Sequence, residues 1–244
     1  MLAQNKENNY IITHNDSLAL ENIIVEKYYI ADSTDYLDST KNSLPVGSVT
    51  YRIFVDMKPA YKLLSVFGSL KHELFFYSTE KFFNDLEADA ITGFNINIKN
   101  ISKANIALDS WITLGAAARG FTGIPRNEDT MGLKLIYNRP SLYKAGGFTK
   151  AILPDFKHFN LDFSVFEKDT NQGRFYTNNG AWAAPGGVKG PTPDNKVLIA
   201  QITTNGKLSF KLNVQIGTPS GGFVIFVADK PEENEIEFNK LILK

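Results

Sequence analysis

The sequence predicts an all-β fold: an antiparallel β-sandwich, or a jelly roll, with long Gly/Pro-rich loops and at most short helices. Three observations lead to this fold class. Apolar and polar residues alternate over short segments of strand length. Turn residues separate these segments at short intervals, as they do in sandwiches and jelly rolls. Where apolar residues do have a helix-like spacing, the segment is short, so only short helices fit the chain.

The strongest local signal lies at residues 197–216, where two strand-forming runs flank Asn205-Gly206. Asn-Gly between two such runs favours a two-residue β-hairpin turn. That turn would place Thr204 opposite Lys207, with the pairing continuing outward along both runs. The second run then has one apolar face, whereas the first run is apolar on both faces. We therefore expect these two strands to pair with each other in one sheet.

The other strands are predicted from the same alternation. Residues 49–57 alternate most regularly, and only Phe54 interrupts their polar face. Residues 79–86 are ambiguous and also fit a short helix. The strands predicted beside the hairpin are 21–30, 49–57, 61–67, 73–77, 94–98, 107–114, 133–137, 161–166, 222–228 and 235–243.

Segments without a strand pattern indicate how the chain is organised. Residues 1–20 are polar and predict a flexible N-terminal arm. Residues 21–244 are expected to form a single β-sandwich domain, and a subdivision near 116–150 is compatible with the sequence but not required by it. Residues 178–195 hold a dense set of Gly and Pro and are expected to be a long loop without regular structure.

Composition excludes several classes of partner and site. The chain has 26 Lys and Arg against 26 Asp and Glu, so it has no basic field to hold nucleic acid and no polybasic run for an anionic membrane. The longest apolar runs, such as residues 223–228, have strand length, so no membrane insertion is expected. Cysteine is absent, which excludes disulfides and thiolate metal sites. The zero net charge is compatible with self-association.

The compartment stays open at this stage. A chain without cysteine fits a reducing cytosol, but it also fits many exported bacterial proteins. The first residues are polar and lack the apolar core of a signal peptide. The sequence is therefore that of a protein kept in the cytosol or that of a mature fragment.

One loop holds three carboxylates, Asp32, Asp35 and Asp38. Carboxylate oxygens are ligands that Ca²⁺ prefers, and a bound ion would neutralise the loop. The spacing is not that of an EF-hand, so a solvated turn with Asx hydrogen bonds is the alternative. Calcium is the one cofactor that the sequence suggests.

A second candidate site surrounds Trp182, in the segment Asn-Asn-Gly-Ala-Trp-Ala-Ala-Pro-Gly-Gly. A Trp in such a segment serves as a plug over the core, as an anchor at a protein interface or as a platform for a sugar ring. In the glycan-binding alternative, Phe175 and Tyr176 stack on sugar rings together with Trp182. Asn178 and Asn179 would then bond the sugar hydroxyls.

The sequence contains no recognisable catalytic motif. None of the three histidines, His14, His72 and His158, lies in a metal-ligand pair, and there is no Gly-x-Ser-x-Gly elbow. Adjacent side chains on a strand point to opposite faces, so Asp109 and Ser110 cannot form a nucleophile–base pair. A hydrolase with paired carboxylates is the third alternative, because such a pair is defined by its separation in space. Its candidates, which also fit solvated charges at strand edges, are Glu73, Glu80, Asp85 and Glu87.

Three stretches together resemble a known group of proteins. They are Leu-Pro-Val-Gly-Ser-Val-Thr-Tyr-Arg-Ile-Phe-Val-Asp at 44–56, Leu-Asp-Ser-Trp-Ile-Thr-Leu-Gly at 108–115 and Val-Leu-Ile-Ala-Gln-Ile-Thr-Thr-Asn-Gly at 197–206. The set resembles poorly characterised β-rich modules of large exported and surface proteins of Bacteroidetes-like bacteria. The resemblance implies an extracellular structural or adhesive module and brings no catalytic residues with it. Since no export signal is visible, a virion-like or tail-like particle assembled in the cytosol is the alternative.

These observations favour a non-enzymatic structural protein that self-assembles or docks to another protein, either as a surface filament or adhesive module or as a component of a particle. The expected contact elements are residues 1–20, 178–195 and 235–243, because edge strands offer unpaired backbone groups that a neighbour can complete. A glycan-binding β-sandwich module is the alternative function.

Overall fold

The computed structural model describes residues 12–36, 44–88, 90–103, 105–129, 146–167 and 171–244. Within these ranges strands predominate and every helix is a single turn, which confirms the all-β fold class. The helical turns are α1 (His14–Ser17) and α2 (Ser33–Tyr36), with 3₁₀ turns at Gly93–Asn95, Ile106–Leu108, Arg126–Glu128, Ser164–Phe166 and Asn239–Leu241. The strands are β1 (Leu20–Ile30), β2 (Val49–Met57), β3 (Lys62–Gly68), β4 (Leu74–Ser78), β5 (Trp111–Ile112), β6 (Ala116–Ala118), β7 (Phe121–Gly123), β8 (Phe148–Lys150), β9 (Lys157–Phe159), β10 (Arg174–Thr177), β11 (Gly180–Val188), β12 (Lys196–Thr204), β13 (Leu208–Lys211), β14 (Val214–Gly217), β15 (Phe223–Val227), β16 (Glu235–Glu237) and β17 (Ile242–Leu243).

The described strands form four sheets. The central sheet has the order β1-β2-β12-β5, and the aromatic sheet has the order β10-β4-β13-β17. The six-stranded sheet runs β16-β15-β14-β3-β11-β9, and the small sheet runs β6-β7-β8. Neighbouring strands are antiparallel except β15 and β16, which are parallel.

The central sheet is covered on both faces. Two hydrophobic cores lie against it. In one of them, which we call the first core, the central sheet packs against the six-stranded and aromatic sheets, so these layers form a sandwich. In the other, which we call the second core, it packs against the 3₁₀ turns of residues 93–108 and the small sheet. The central sheet gives Val55 and Ile199 to the first core and Phe54 and Leu198 to the second. This double burial is why β2 and β12 carry apolar residues on both faces.

The Asn205-Gly206 turn does not form the predicted hairpin. β12 pairs with β2 and β5, whereas β13 pairs with β4 and β17 in a different sheet. A type I′ turn needs a positive φ at both central residues, and neither residue has one. A Cβ on Gly206 would lie 2.5 Å from both the Glu80 nitrogen and Ser78 Oγ, so the close packing here requires glycine. The turn is a corner between sheets, and the predicted cross-strand pairs are wrong.

A second corner follows β2. Residues 58–60 carry the chain from the central sheet to β3 in the six-stranded sheet. Ala60 has a φ of 76°, in the left-handed region. The buried Asn195 amide holds the corner, since its Nδ2 donates to the carbonyl oxygens of Lys58 at 2.7 Å and Tyr61 at 3.1 Å. At both corners, therefore, the chain passes from one layer of the sandwich to the other.

Residues 178–195 are not a loop throughout, because β11 occupies half of this segment. β11 lies between β3 and β9 in the six-stranded sheet. Its register is interrupted between Ala183 and Val188, where Gly186 and Gly187 have positive φ angles. These glycines form a bulge within the strand instead of ending it.

Three other predicted strands are largely turns. Residues 94–98 lie in a 3₁₀ turn and the turns after it, residues 161–166 end in a 3₁₀ turn, and residues 107–114 contain only the short β5. The structure has no helix at residues 79–86. Residues 133–137 lie outside the described residues. Turns bury alternate apolar residues as strands do, so alternation alone does not distinguish the two.

Residues 12–20 are fixed to the fold, which corrects this part of the predicted flexible arm. Thr13 and Asp16 form a capping box at α1. The Tyr61 hydroxyl donates to Asp16 Oδ1 at 2.9 Å, and β1 begins at Leu20. Residues 1–11 lie outside the described residues. The described strands within 116–150 form the small sheet, whose Ala117 packs in the second core against the central sheet.

Candidate functional site

Trp182 and Phe175 are core residues, which corrects their predicted part in a sugar-stacking surface. Trp182 is 0% exposed and Phe175 is 1% exposed. The two rings meet edge to face with their centroids 6.0 Å apart. The Trp182 indole Nε1 donates to the Thr113 carbonyl oxygen at 2.8 Å. Of the three roles predicted for Trp182, the structure shows the core plug.

Tyr176 and the two asparagines after it lie at the surface. Alternation along β10 directs Tyr176 away from the core that holds Phe175, and Tyr176 is half-buried. Asn178 and Asn179 follow the strand and are both exposed, with the Asn179 N–H donating to Thr177 Oγ1 at 3.2 Å. These three members of the predicted glycan set stay accessible, whereas Trp182 and Phe175 do not.

Tyr176 belongs to a larger surface, the outer face of the aromatic sheet. Pairing places Tyr176 opposite Phe75 and Arg174 opposite Tyr77, with β13 on the other side of β4. Tyr77 is 43% exposed. We call this surface the outer face, and its residues are Phe75, Tyr77, Arg174, Tyr176, Ser209 and Lys211.

The outer face carries two cations, Arg174 and Lys211, beside its rings. The Arg174 guanidinium lies 4.5 Å from the centroid of the Tyr176 ring, a cation–π contact. Lys211 Nζ lies 2.9 Å from Asp229 Oδ1 and 3.7 Å from Glu73 Oε1. Tyrosine and arginine, with tryptophan, are the residues enriched at binding hot spots. Sequence reasoning missed Phe75 and Tyr77, although an aromatic run with rings on both faces of one short strand is a signal that could have revealed them.

The two described carboxylates of the predicted calcium loop act as hydrogen-bond acceptors within the turn. Asp32 Oδ1 accepts from the Thr34 N–H at 2.8 Å and from its hydroxyl at 2.6 Å. Asp35 is buried, and its Oδ2 accepts from the Tyr29 hydroxyl at 2.8 Å and the Asp32 N–H at 2.9 Å. Asp38 lies outside the described residues, so the calcium site stays a prediction. The observed bonds are of the Asx type.

The carboxylates considered for a hydrolase hold loops in place or lie at the surface. Burial raises the pKa of Asp85, although its carboxylate accepts from the backbone N–H groups of Glu87 at 2.8 Å, Ala88 at 3.0 Å and Asn105 at 3.0 Å. Asp109 Oδ1 accepts from the Asp85 N–H at 2.8 Å, and Ser110 Oγ accepts from the Thr203 N–H at 3.0 Å. Glu80 and Glu87 are exposed.

His72 belongs to the one group of potential metal ligands that the described residues form, with Glu232 and Glu235. One ligand atom from each of the three side chains lies within 4.8 Å of the other two. His72 Nε2 is 2.8 Å from Glu235 Oε2. Lys71 forms an ion pair with Glu232 at the exposed side of the group. His14 and His158 are exposed and lie outside it.

Asn213 fixes both elements that carry this group. It is buried at the bend between β13 and β14, and its Nδ2 donates at 3.2 Å to the carbonyl oxygens of Phe67, His72 and Glu73. Its Oδ1 accepts from the Ala228 N–H at 3.2 Å, where β15 ends. One amide therefore holds both the turn that carries His72 and the start of the connection that leads to the two glutamates.

A buried cation, Arg52, lies in β2 of the central sheet. Its guanidinium carbon is 3.6 Å from the Tyr28 ring centroid and 4.5 Å from that of Phe148. Arg52 Nε donates to Gln201 Oε1 at 2.9 Å and Nη1 donates to the Gly147 carbonyl oxygen at 2.9 Å. Among the described residues Nη2 has no hydrogen-bond partner. Burial lowers the pKa of this guanidinium, so the stacked rings and hydrogen bonds keep a costly charge in place.

No family model, curated protein or solved structure matches this chain. Within the described ranges, no helix has the length and apolar character needed to cross a membrane.

Proposed function

We propose that this protein is a non-enzymatic structural module that docks to another protein surface, in the first place a second copy of itself, through the outer face. The observation that carries the proposal is the group formed by the exposed Tyr77 and Arg174 with the half-buried rings of Phe75 and Tyr176 on one side of the aromatic sheet. A few residues supply most of the binding energy of a protein interface, and tyrosine and arginine are enriched among them. The zero net charge of the chain leaves little repulsion between copies.

The polar groups of the fold support a structural role. Asp85, Asp109 and Ser110 bond backbone groups of neighbouring loops, so their chemistry is used in holding the structure. The outer face replaces residues 178–195 as the proposed contact element, because the paired strand β11 occupies half of that segment.

Sedimentation velocity over a concentration series tests this proposal. The parent chain is expected to associate reversibly. The double variant Tyr77→Ser/Tyr176→Ser is expected to associate at least about tenfold more weakly, because loss of hot-spot rings costs about 2 kcal/mol or more of binding free energy. Leu70→Ser is the matched control, because Leu70 is 87% exposed but lies outside the outer face. A parent chain that stays monomeric up to about 1 mM contradicts self-assembly.

Glycan binding is the second candidate, and the neighbourhood of Tyr176 favours it. Arg174 stacks on that ring, and Asn178 and Asn179 lie exposed beside the end of the strand. A glycan array compares the parent chain with Tyr176→Ala, and binding is expected to fall in the variant because a sugar ring stacks on the lost face. If the parent chain binds no glycan, this candidate is discarded.

A further inference from the structure

We propose that His72, Glu232 and Glu235 bind a divalent transition-metal ion of the Zn²⁺ class. The three ligand atoms converge within 4.8 Å of one another, with Nε2 of His72 already 2.8 Å from Glu235 Oε2. Zn²⁺ is bound by such imidazole and carboxylate ligands at about 2.0–2.2 Å, so small side-chain rotations bring all three into the first coordination shell.

The chemistry of the ligand set selects the metal class. Imidazole suits Zn²⁺ and its first-row neighbours, whereas Ca²⁺ and Mg²⁺ prefer sites made of oxygen atoms alone. Two carboxylates compensate the two charges of the ion. Three protein ligands leave a fourth position for water, because structural and catalytic zinc alike favour four ligands.

The buried imidazole of His72 directs its Nε2 atom toward the carboxylates. The His72 side chain is 3% exposed, and its Nδ1 has no hydrogen-bond partner among the described residues. If the ring proton is on Nδ1, the lone pair of Nε2 faces a carboxylate oxygen, an arrangement that a cation between the two atoms makes favourable. Nε2 is thus the ring atom that would bind the ion, in place of its contact with Glu235 Oε2, and Nδ1 lies outside the group.

The Lys71 ammonium competes with a metal ion for the carboxylate of Glu232. This ammonium forms an ion pair with Glu232, and the Lys71 side chain is 67% exposed. An exposed ion pair of this kind contributes little to stability. A metal ion replaces this ammonium as the partner of Glu232, and the lysine moves into solvent.

Metal binding would fasten two elements that are distant in sequence. His72 lies in the turn between β3 and β4, and the glutamates lie at the connection from β15 to β16. That connection joins two parallel strands within residues 228–234, whereas parallel strands usually need a dozen or more connecting residues. A bound ion would hold this short connection against the β3–β4 turn and stabilise the edge of the six-stranded sheet.

Titration of the metal-stripped chain of residues 1–244 with Co²⁺ and with Zn²⁺ tests the proposal. Visible absorption of Co²⁺ reports coordination, and thermal unfolding reports the stabilisation by Zn²⁺. We expect saturable binding of one ion per chain and an upward shift of Tm. His72→Ala and Glu235→Gln are each expected to weaken binding at least about 100-fold, since even outer-shell changes cost 10–100-fold.

Three further variants make the test specific. Glu233→Gln, in the same connection, and His158→Ala, an exposed histidine, should bind like the parent chain. Lys71→Ala should bind more tightly, because it frees Glu232. Glu235→Gln preserves side-chain size, so lost binding with an unchanged circular dichroism spectrum separates ligand loss from misfolding. The proposal is overturned if the parent chain gives no Co²⁺ spectrum, if binding survives in His72→Ala, or if Lys71→Ala binds more weakly.

Discussion

At the scale of single residues, the central sheet holds a carboxylate, a guanidinium and an amide side by side. Glu26 lies opposite Arg52 across β1 and β2, and Gln201 lies opposite Arg52 on the other side. Glu26 Oε1 accepts from the Arg126 N–H at 2.7 Å, while Oε2 is buried without a partner in the described part of the chain. Burial raises the pKa of Glu26, and this outweighs the opposing effects of the Arg126 N–H and of Arg52.

Glu26→Gln is expected to remove a pH-dependent loss of stability. The pKa of Glu26 is higher in the folded chain than its ordinary value of 4.5, so the contribution of this group is fully present below pH 4.5 and is lost as the pH rises through the folded pKa. The variant should therefore gain stability relative to the parent chain between pH 4 and pH 7, measured by urea unfolding. Glu233→Gln, an exposed position, controls for the loss of one charge. A stability difference that is constant with pH would contradict the assignment.

The sequence predicts which residues are buried only where apolar and polar residues alternate along a strand. The alternation of residues 208–214 predicts their buried apolar residues correctly, whereas both faces of residues 49–57 are buried, including Thr50 and Arg52 on the predicted polar face. The position of Trp182 was obscured because Gly and Pro around it indicate a loop, whereas the structure uses those glycines as a bulge within β11. His72, Glu232 and Glu235 are far apart in sequence, and only the fold shows that they meet.

At the scale of elements, side-chain bonds across the first core fix how strands meet. The indole of Trp182 in β11 donates to Thr113, the residue that follows β5. This bond connects the six-stranded sheet to the edge of the central sheet. The indole Nε1 of Trp111, in β5 itself, has no hydrogen-bond partner among the described residues, although Trp111 is equally buried.

Replacing each tryptophan by phenylalanine isolates the value of the Trp182 bond. Both substitutions remove the same buried volume, but only Trp182→Phe leaves the Thr113 carbonyl without its donor. We expect Trp182→Phe to lower the free energy of unfolding by about 1–3 kcal/mol more than Trp111→Phe, the usual cost of an unsatisfied buried group. Urea unfolding measures both. Equal losses would show that the bond contributes nothing.

The same elements show where prediction from sequence stops. The extents of β1, β2 and β12 follow closely from hydrophobic patterning. Their sheet membership does not, because Asn-Gly predicts a local hairpin while tight packing at Gly206 turns the chain into another layer. Pairing partners such as Thr50 and Thr203, whose hydroxyls lie 2.7 Å apart, are separated by 153 residues. Local rules cannot select contacts of that separation.

At the scale of the whole molecule, the central sheet belongs to both cores. Trp182 lies in the first core and Trp111 in the second, and the chain has no other tryptophan. Strands that pack on both faces cannot leave one core without disturbing the other. The described parts of residues 116–150 join the second core, so we expect no independent unfolding of that region.

Fluorescence of single-tryptophan chains tests this cooperativity. Trp111→Phe reports on the first core, and Trp182→Phe reports on the second. For each variant, the urea transition followed by fluorescence should coincide with that followed by circular dichroism, as two-state unfolding requires. A separate, earlier fluorescence transition in Trp182→Phe would show instead that the second core unfolds as its own unit.

The two corners, at residues 58–60 and at Asn205-Gly206, have a consequence for biosynthesis. Because each one sends the chain into another layer, β2 acquires β1 as a neighbour early in translation but must wait for β12, more than a hundred residues later. Until then one edge of β2 and its apolar side chains stay open to other nascent chains. Such delayed long-range pairing slows maturation and favours aggregation, so production of this protein should improve at low temperature and with abundant chaperones.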